Sequence, residues 1–239
     1  MTHYITVDGG TTNTRIRLIR DGEVVASAHI PMGAKDCIGG ASLYKSRLCE
    51  DIVSLLDKSG LCPAKVTAVL ASGMLTCERG LCHIPHLNAP VGIAELHRGM
   101  VRADFDGIAI PCYFIPGVKI MTDDPSLCDM MRGEESEFFG LAEQMEPDSV
   151  CVLPGSHTKH IFSDAQKRIT ASNTLLTGEM LAALSRHTIL SDSVDMSITE
   201  FDKSALLWGY DDACKSGISR VLFRVRILDK LFNKSPREV

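Results

Sequence analysis

Near its start the chain reads Tyr4-Ile-Thr-Val-Asp8-Gly-Gly-Thr-Thr-Asn13-Thr-Arg15-Ile-Arg-Leu-Ile19, an apolar strand that runs into a glycine- and hydroxyl-rich turn and leaves it as an alternating strand. Period-two alternation puts Arg15 and Arg17 on one face of the second strand, with Ile16 and Leu18 on the other. Asp21-Gly22 is a hairpin signal that returns the chain through Glu23–Ile30. Gly9 and Gly10 let the backbone take turn angles that a Cβ penalises, so successive N–H groups can converge on an anion, and Thr11 and Thr12 add hydroxyl donors. Asp8, at the end of the strand, is badly placed as a phosphate ligand but well placed to hold a hydrated Mg²⁺. A P-loop would need Gly-Lys-Ser/Thr at a helix start, and a dinucleotide fingerprint would need a helix after the glycines; neither pattern is present.

The pattern downstream predicts a mixed α/β chain. Residues 41–59 place Leu43, Leu48, Ile52, Leu55 and Leu56 at helical spacing. A short apolar strand follows at 66–71, a second helix at 93–102, and one or two buried strands broken by Pro111 at 107–116. Hairpin, helix, strand, helix, strand suits a domain of ribonuclease-H type. Residues 121–129 read as a connector, and a second unit begins at Met130, with a helix at 134–144 that buries Phe138, Phe139 and Leu141. Residues 149–162 then repeat the opening design around Pro154-Gly155-Ser156-His157-Thr158-Lys159, a turn that offers amides, hydroxyls, an imidazole and an ammonium. Helices are expected at 178–190 and from 201 to 232. The predicted lobes are 1–128 and 129–239, and two such turns are what a cleft clasping a polyphosphate requires.

Composition narrows the partners. A net charge of −5 over 239 residues gives no electrostatic footprint for nucleic acid, and no Lys/Arg block marks an anionic membrane surface. No basic, apolar, small-residue leader and no apolar run of membrane-spanning length is found, which predicts a cytoplasmic protein. The nine cysteines are an odd number scattered through predicted strands and helices, as expected of reduced thiols. Cys77, Cys82, His83 and His86 could in principle surround Zn²⁺, but the first spacing is long and Pro85 interrupts the second pair. Phosphoryl transfer to a hydroxyl needs a carboxylate to take the proton and positive groups to offset phosphoryl charge. Asp129, Glu134 and Glu135 are the candidates for the first; carboxylates at a helix start also simply favour the helix dipole.

The opening segment resembles the first phosphate motif of the sugar-kinase, actin and heat-shock-chaperone superfamily. Asp8-Gly-Gly-Thr-Thr-Asn-Thr-Arg15, Gly73-Met74, Ile115-Pro-Gly117, Met131-Arg-Gly-Glu-Glu135, Leu153-Pro-Gly-Ser-His-Thr-Lys159 and Leu176-Thr-Gly-Glu179 fall in the order of the motifs of the 2-dehydro-3-deoxygalactonokinase family. The resemblance implies a two-lobed, ribonuclease-H-like (actin-like ATPase) fold and ATP-dependent phosphorylation of 2-dehydro-3-deoxy-D-galactonate at its terminal hydroxyl, a step of D-galactonate breakdown. It implies Mg²⁺ held by Asp8 and phosphate held by Gly9, Gly10, Thr11, Thr12, Asn13, Arg15, Gly155, Ser156, His157 and Lys159. Glu134 matches the catalytic carboxylate of related sugar kinases, with Asp129 as the other candidate base, and Arg132 is the candidate for the substrate carboxylate. Family members usually carry Trp where Gly9 stands, Thr where Ser156 stands and an aromatic residue where His160 stands. They also continue past Val239 into an adenosine-binding part, so the second lobe is expected to be incomplete. That expectation motivates a second reading, a catalytically impaired protein on the same scaffold that binds phosphate and sugar acid. Homo-oligomerisation is left open.

Overall fold

The computed structural model describes residues 1–38 and 41–238. Val239, the last residue of the expected second lobe, lies outside them. The chain forms two compact units, one of Met1–Leu153 with Lys159–Thr174 and one of Pro154–Thr158 with Leu175–Val239, so the boundary expected at 128 falls within the first.

The first unit opens with β1 (His3–Gly9), β2 (Thr14–Arg20), β3 (Glu23–Ile30), α1 (Ser42–Lys58) and β4 (Val66–Gly73). It continues with β5 (Leu87–Asn88), α2 (Ile93–Gly99), β6 (Val101–Arg102) and β7 (Cys112–Phe114). The six-stranded sheet has the order β3-β2-β1-β4-β7-β6. β3, β2 and β1 are antiparallel, whereas β4 and β7 run parallel to β1, so the carboxyl ends of β1, β4 and β7 share one edge. Parallel pairing of β1 with β4 requires a crossover, and α1 supplies it. Ile5 and Val7 of β1 and Ile16 and Leu18 of β2 are buried in one core with Leu48, Ile52 and Leu56 of α1.

That helix is turned slightly from the predicted face. Leu43 is 69% exposed and Tyr44 takes the buried position. Thr14 Oγ1 donates to the Met32 carbonyl at 2.9 Å, so the Tyr44 hydroxyl, which sits against Thr14 Oγ1, is the donor of that pair. Burial pushes the Tyr44 hydroxyl up to about 12. Tyr44→Phe is therefore expected to destabilise the first unit by about 1 kcal/mol, the net worth of one buried hydrogen bond, and a urea midpoint equal to that of the parent would count against the pair.

Local reading also misjudged elements whose partners are distant in sequence. The helix expected over 93–102 stops at Gly99, because Val101 and Arg102 pair with Phe114 and Tyr113 at the sheet edge. The connector expected at 121–129 is flanked by β8 (Val118–Ile120) and β9 (Asp129–Met131), which pair with each other, β8 also pairing with β5. α3 (Glu134–Leu141) buries Phe138 but leaves Leu141 41% exposed. β10 (Val150–Leu153), β11 (Thr158–Ser163) and β12 (Ile169–Leu175) make a third sheet, of which β12 was not anticipated. Val118, Met131, Phe138, Cys151, Ile161 and Ile169 form the core of this half.

The second unit consists of the 154–158 turn and the helices α4 (Thr177–His187), α5 (Lys203–Ser216) and α6 (Ile218–Phe232). Asp202 caps α5 by accepting from the Ala205 amide at 2.8 Å, and Gly217, at φ +79°, separates α5 from α6. Among its described apolar side chains only Leu190 is buried, while Leu206, Trp208, Tyr210, Phe223 and Phe232 stand in solvent. No described helix is long and apolar enough to cross a membrane.

Candidate functional site

The site is built at the carboxyl edge of β1, β4 and β7, where open α/β sheets receive ligands. Gly10 N–H closes the first turn onto the Asn13 carbonyl at 2.8 Å, which leaves Thr11, Thr12 and Asn13 exposed at its tip. The turn is held from behind, because the Gly10 and Thr11 carbonyls each accept from the 34–35 backbone at 3.1 Å. Gly9 is buried, and a Cβ there would fall on the Leu75 side chain. The register sets Asp8 opposite Arg15 on one side and Ser72 on the other. Asp8 and Arg15 form an exposed ion pair at 3.3 Å.

Three glycines meet where this edge approaches α3. Gly73 (φ +77°) lies against the Gly9 carbonyl, and a Cβ on Gly133 (φ +122°) would come within 3.3 Å of Gly73 Cα. Gly133 thus delivers the first turn of α3 to the sheet edge. An open cleft of about 570 Å³ is lined there by Asp8, Arg15, Arg17, Ser72, Ser136 and Glu137. Glu137 was not singled out from sequence, although it stands one turn beyond Glu134 on the same helix. Burial raises its carboxyl above the usual range, with the charges of Asp8 and Glu134 adding to the effect.

Glu134 is partly exposed; its Oε2 accepts from the Arg132 amide at 3.0 Å. Glu135 is fully buried, and both of its oxygens accept from Gly133 N–H, at 2.9 and 2.8 Å. Burial pushes Glu135 up to about 7, against the pull of those backbone donors. A carboxyl raised in the folded state contributes stability that is present below its unfolded value and is lost as pH rises to the folded one. Glu135→Gln is accordingly expected to remove a decline in unfolding free energy between pH ~4.5 and ~7, on the order of 2–3 kcal/mol. Identical pH slopes for the two proteins in urea titrations would count against it.

Arg132 was expected to face a substrate carboxylate. Instead its Nη1 donates to the Thr76 carbonyl and hydroxyl at 2.8 and 2.6 Å, and its Nη2 donates to the Ile84 carbonyl at 3.0 Å and approaches His86 Nδ1 at 3.1 Å. Burial, then the Arg132 charge, lowers His86 to about 4, so its neutral ring accepts from Arg132. Asp129 is also engaged: Ser172 Oγ donates to Oδ2 at 2.6 Å, Thr174 Oγ1 donates to both oxygens at 2.8–2.9 Å, and the Met130 amide donates to Oδ1 at 2.8 Å. Burial alone would raise this carboxyl, but these donors, with Lys159, hold it below the usual range. Lys159, expected at phosphate, is 7% exposed and donates to the Met130 carbonyl and Thr174 Oγ1, both at 2.7 Å.

In the second unit Gly155, Ser156 and His157 are exposed at the 154–158 turn. The Gly155 and Ser156 carbonyls accept from the Gly178 and Glu179 amides at 3.2 and 3.1 Å, so the turn sits on the start of α4. A Cβ on Gly178 would come within 3.0 Å of Ser156 Cα, which explains the glycine. His157 Nε2 lies 2.7 Å from a Glu179 oxygen.

Asp8, Glu137, Ser72 and Ser136 give the cleft hard oxygen donors, the chemistry Mg²⁺ prefers, and no three Asp, Glu, His or Cys side chains converge among the described residues. Asp8 thus fits a Mg²⁺ that keeps most of its shell as water and phosphate oxygen.

The 2-keto-3-deoxy-galactonokinase family profile matches residues 8–239. The 2-dehydro-3-deoxygalactonokinase of Escherichia coli (strain K12) is 27% identical over 229 residues, which cover 96% of this chain and 69% of that protein. A Rhizobium meliloti (strain 1021) protein assigned the same activity is 28% identical over 196 residues, covering 80% of this chain and 59% of that one. A crystal structure from Sinorhizobium meliloti, also assigned as a 2-dehydro-3-deoxygalactonokinase protein, superposes with a TM-score of 0.78 at 23% identity, over 98% of this chain and 75% of that one. The last likeness shows a shared fold.

Proposed function

The chain belongs to the 2-keto-3-deoxy-galactonokinase family, and on that premise we propose that it is a cytoplasmic kinase that transfers the γ-phosphoryl group of ATP to the terminal hydroxyl of 2-dehydro-3-deoxy-D-galactonate, giving the 6-phosphate. The observation that carries the reading is the cleft at the carboxyl edge of the sheet, where Asp8, Arg15 and Ser72 meet Gly133, Ser136 and Glu137 at the start of α3. The order β3-β2-β1-β4, with a hairpin before the parallel crossover, supports the ribonuclease-H-type, actin-like ATPase reading of the first unit.

Glu134 takes the proton as the substrate oxygen attacks the γ-phosphorus; the new O–P bond forms as the bond to the β–γ bridging oxygen breaks, and ADP carries the released charge. The exposed residues Thr11 and Thr12, with Asn13, Gly9, Gly10 and Arg15, are the proposed phosphate ligands of the first unit. Gly155, Ser156 and His157 are those of the second. Mg²⁺ beside Asp8 supplies charge neutralisation to the phosphates when bound. The guanidinium group of Arg17, in the same cleft, is better placed than Arg132 to take the substrate carboxylate, since both Arg132 terminal nitrogens are occupied.

The test is a coupled ADP-release assay with the sugar acid, with phosphate position read by ³¹P–¹H NMR. ADP release that is independent of the sugar acid, or a phosphate attached elsewhere than O6, would refute the proposal. Gly155→Val is expected to weaken ADP binding about tenfold, because a branched side chain would crowd the approach of the 155–157 backbone to an anion. Unchanged ADP affinity would make that turn merely structural.

A further inference from the structure

Lys159 is the one strongly basic side chain of the sequence motifs that the fold encloses, and its surroundings assign it a different task from phosphate binding. Its ammonium has three protons. Two are accepted by the Met130 carbonyl and Thr174 Oγ1 at 2.7 Å, and Glu134 Oε1 lies 4.0 Å away as an ion-pair partner. Thr174, in turn, passes its own proton to Asp129, whose oxygens also accept from Ser172 and the Met130 amide. The network therefore runs Asp129, Thr174, Lys159, Glu134, and it ties β9, β12 and β11 to the first residue of α3. A buried ammonium held by two hydrogen-bond acceptors and facing a carboxylate is poorly disposed to leave them for a ligand.

We propose that Lys159, backed by Thr174 and Asp129, is a positioning residue that holds the Glu134 carboxylate correctly aimed as the proton acceptor, and that it binds no phosphate. The proposal rests on the kinase reading above only for its kinetic consequence.

Lys159→Met keeps the length and apolar stem of the side chain and removes the charge; Thr174→Val keeps the shape and removes the hydroxyl that joins Lys159 to Asp129. In Lys159→Met, kcat for the sugar acid is expected to fall about 10²-fold, as for a catalytic group misplaced by about an ångström, while KM for ATP and the ADP dissociation constant stay at their parental values. Thr174→Val should move kcat the same way and by less. A tenfold loss of ADP affinity in Lys159→Met would make the lysine a phosphate ligand and overturn the proposal.

A second measurement is independent of turnover. The Glu134 side-chain carboxyl resonance, identified by its loss in Glu134→Gln, is followed by ¹³C NMR at neutral pH in the full chain. It should shift in Lys159→Met relative to the parent, because a cation 4.0 Å from Oε1 is removed. An unmoved resonance would show that Lys159 does not act on Glu134. Failure of the parent to phosphorylate the sugar acid would count against the kinase reading alone, because the NMR arm still decides the role of Lys159.

Discussion

Asp8→Asn is expected to lower Mg²⁺-dependent turnover by about three orders of magnitude or more, since charge stabilisation by a bound metal supplies several kcal/mol of the barrier lowering. The substitution removes the negative charge at the end of β1 but almost no volume. Asp8 is 37% exposed and its partner Arg15 is 61% exposed, so the ion pair lost contributes little to folding. Thermal unfolding should therefore be nearly unchanged, which separates a metal role from a structural one. Mg·ADP affinity equal to that of the parent, measured by calorimetry, would remove Asp8 from the metal site.

Glu134→Gln is expected to lower kcat by about 10²–10⁴-fold with little change in KM, as when a general base is lost. The amide retains an oxygen that can accept from the Arg132 backbone, so the turn into α3 should survive. Asp129→Asn is the informative comparison. Asp129 is enclosed by four donated hydrogen bonds and held below the usual carboxylate range, so it is a poor proton acceptor and an effective anchor. Its loss should act through the Lys159 network and cost less than the loss of Glu134. If Asp129→Asn abolishes turnover while Glu134→Gln retains it, the base has been misassigned.

Chemistry that depends on a few consecutive residues was legible without any coordinates. Asp8, the 9–13 turn, the hairpin at Asp21-Gly22 and the carboxylates opening α3 all follow from alternation, glycine geometry and helix-start preferences acting within about a dozen residues. The family motifs belong to the same class of information, and the profile match over residues 8–239 supports the assignment they implied.

Only the tertiary structure decided what each charged motif side chain faces. Arg132 and Lys159 look like ligand-binding cations in the sequence, yet one is fastened to the 76–86 loop and the other is sealed between β9, β12 and α3. Ser172 and Thr174, which complete the Asp129 network, lie 43 and 45 residues from it on a strand that the polar alternation of 169–175 did not reveal. Tyr44 rather than Leu43 fills the core because its hydroxyl meets Thr14 from 30 positions away. The sequence determined the local backbone because steric and capping preferences are properties of neighbouring residues. Burial and partnership were decided by cross-strand register and packing, which join segments whose separation along the chain carries no information about their distance in space.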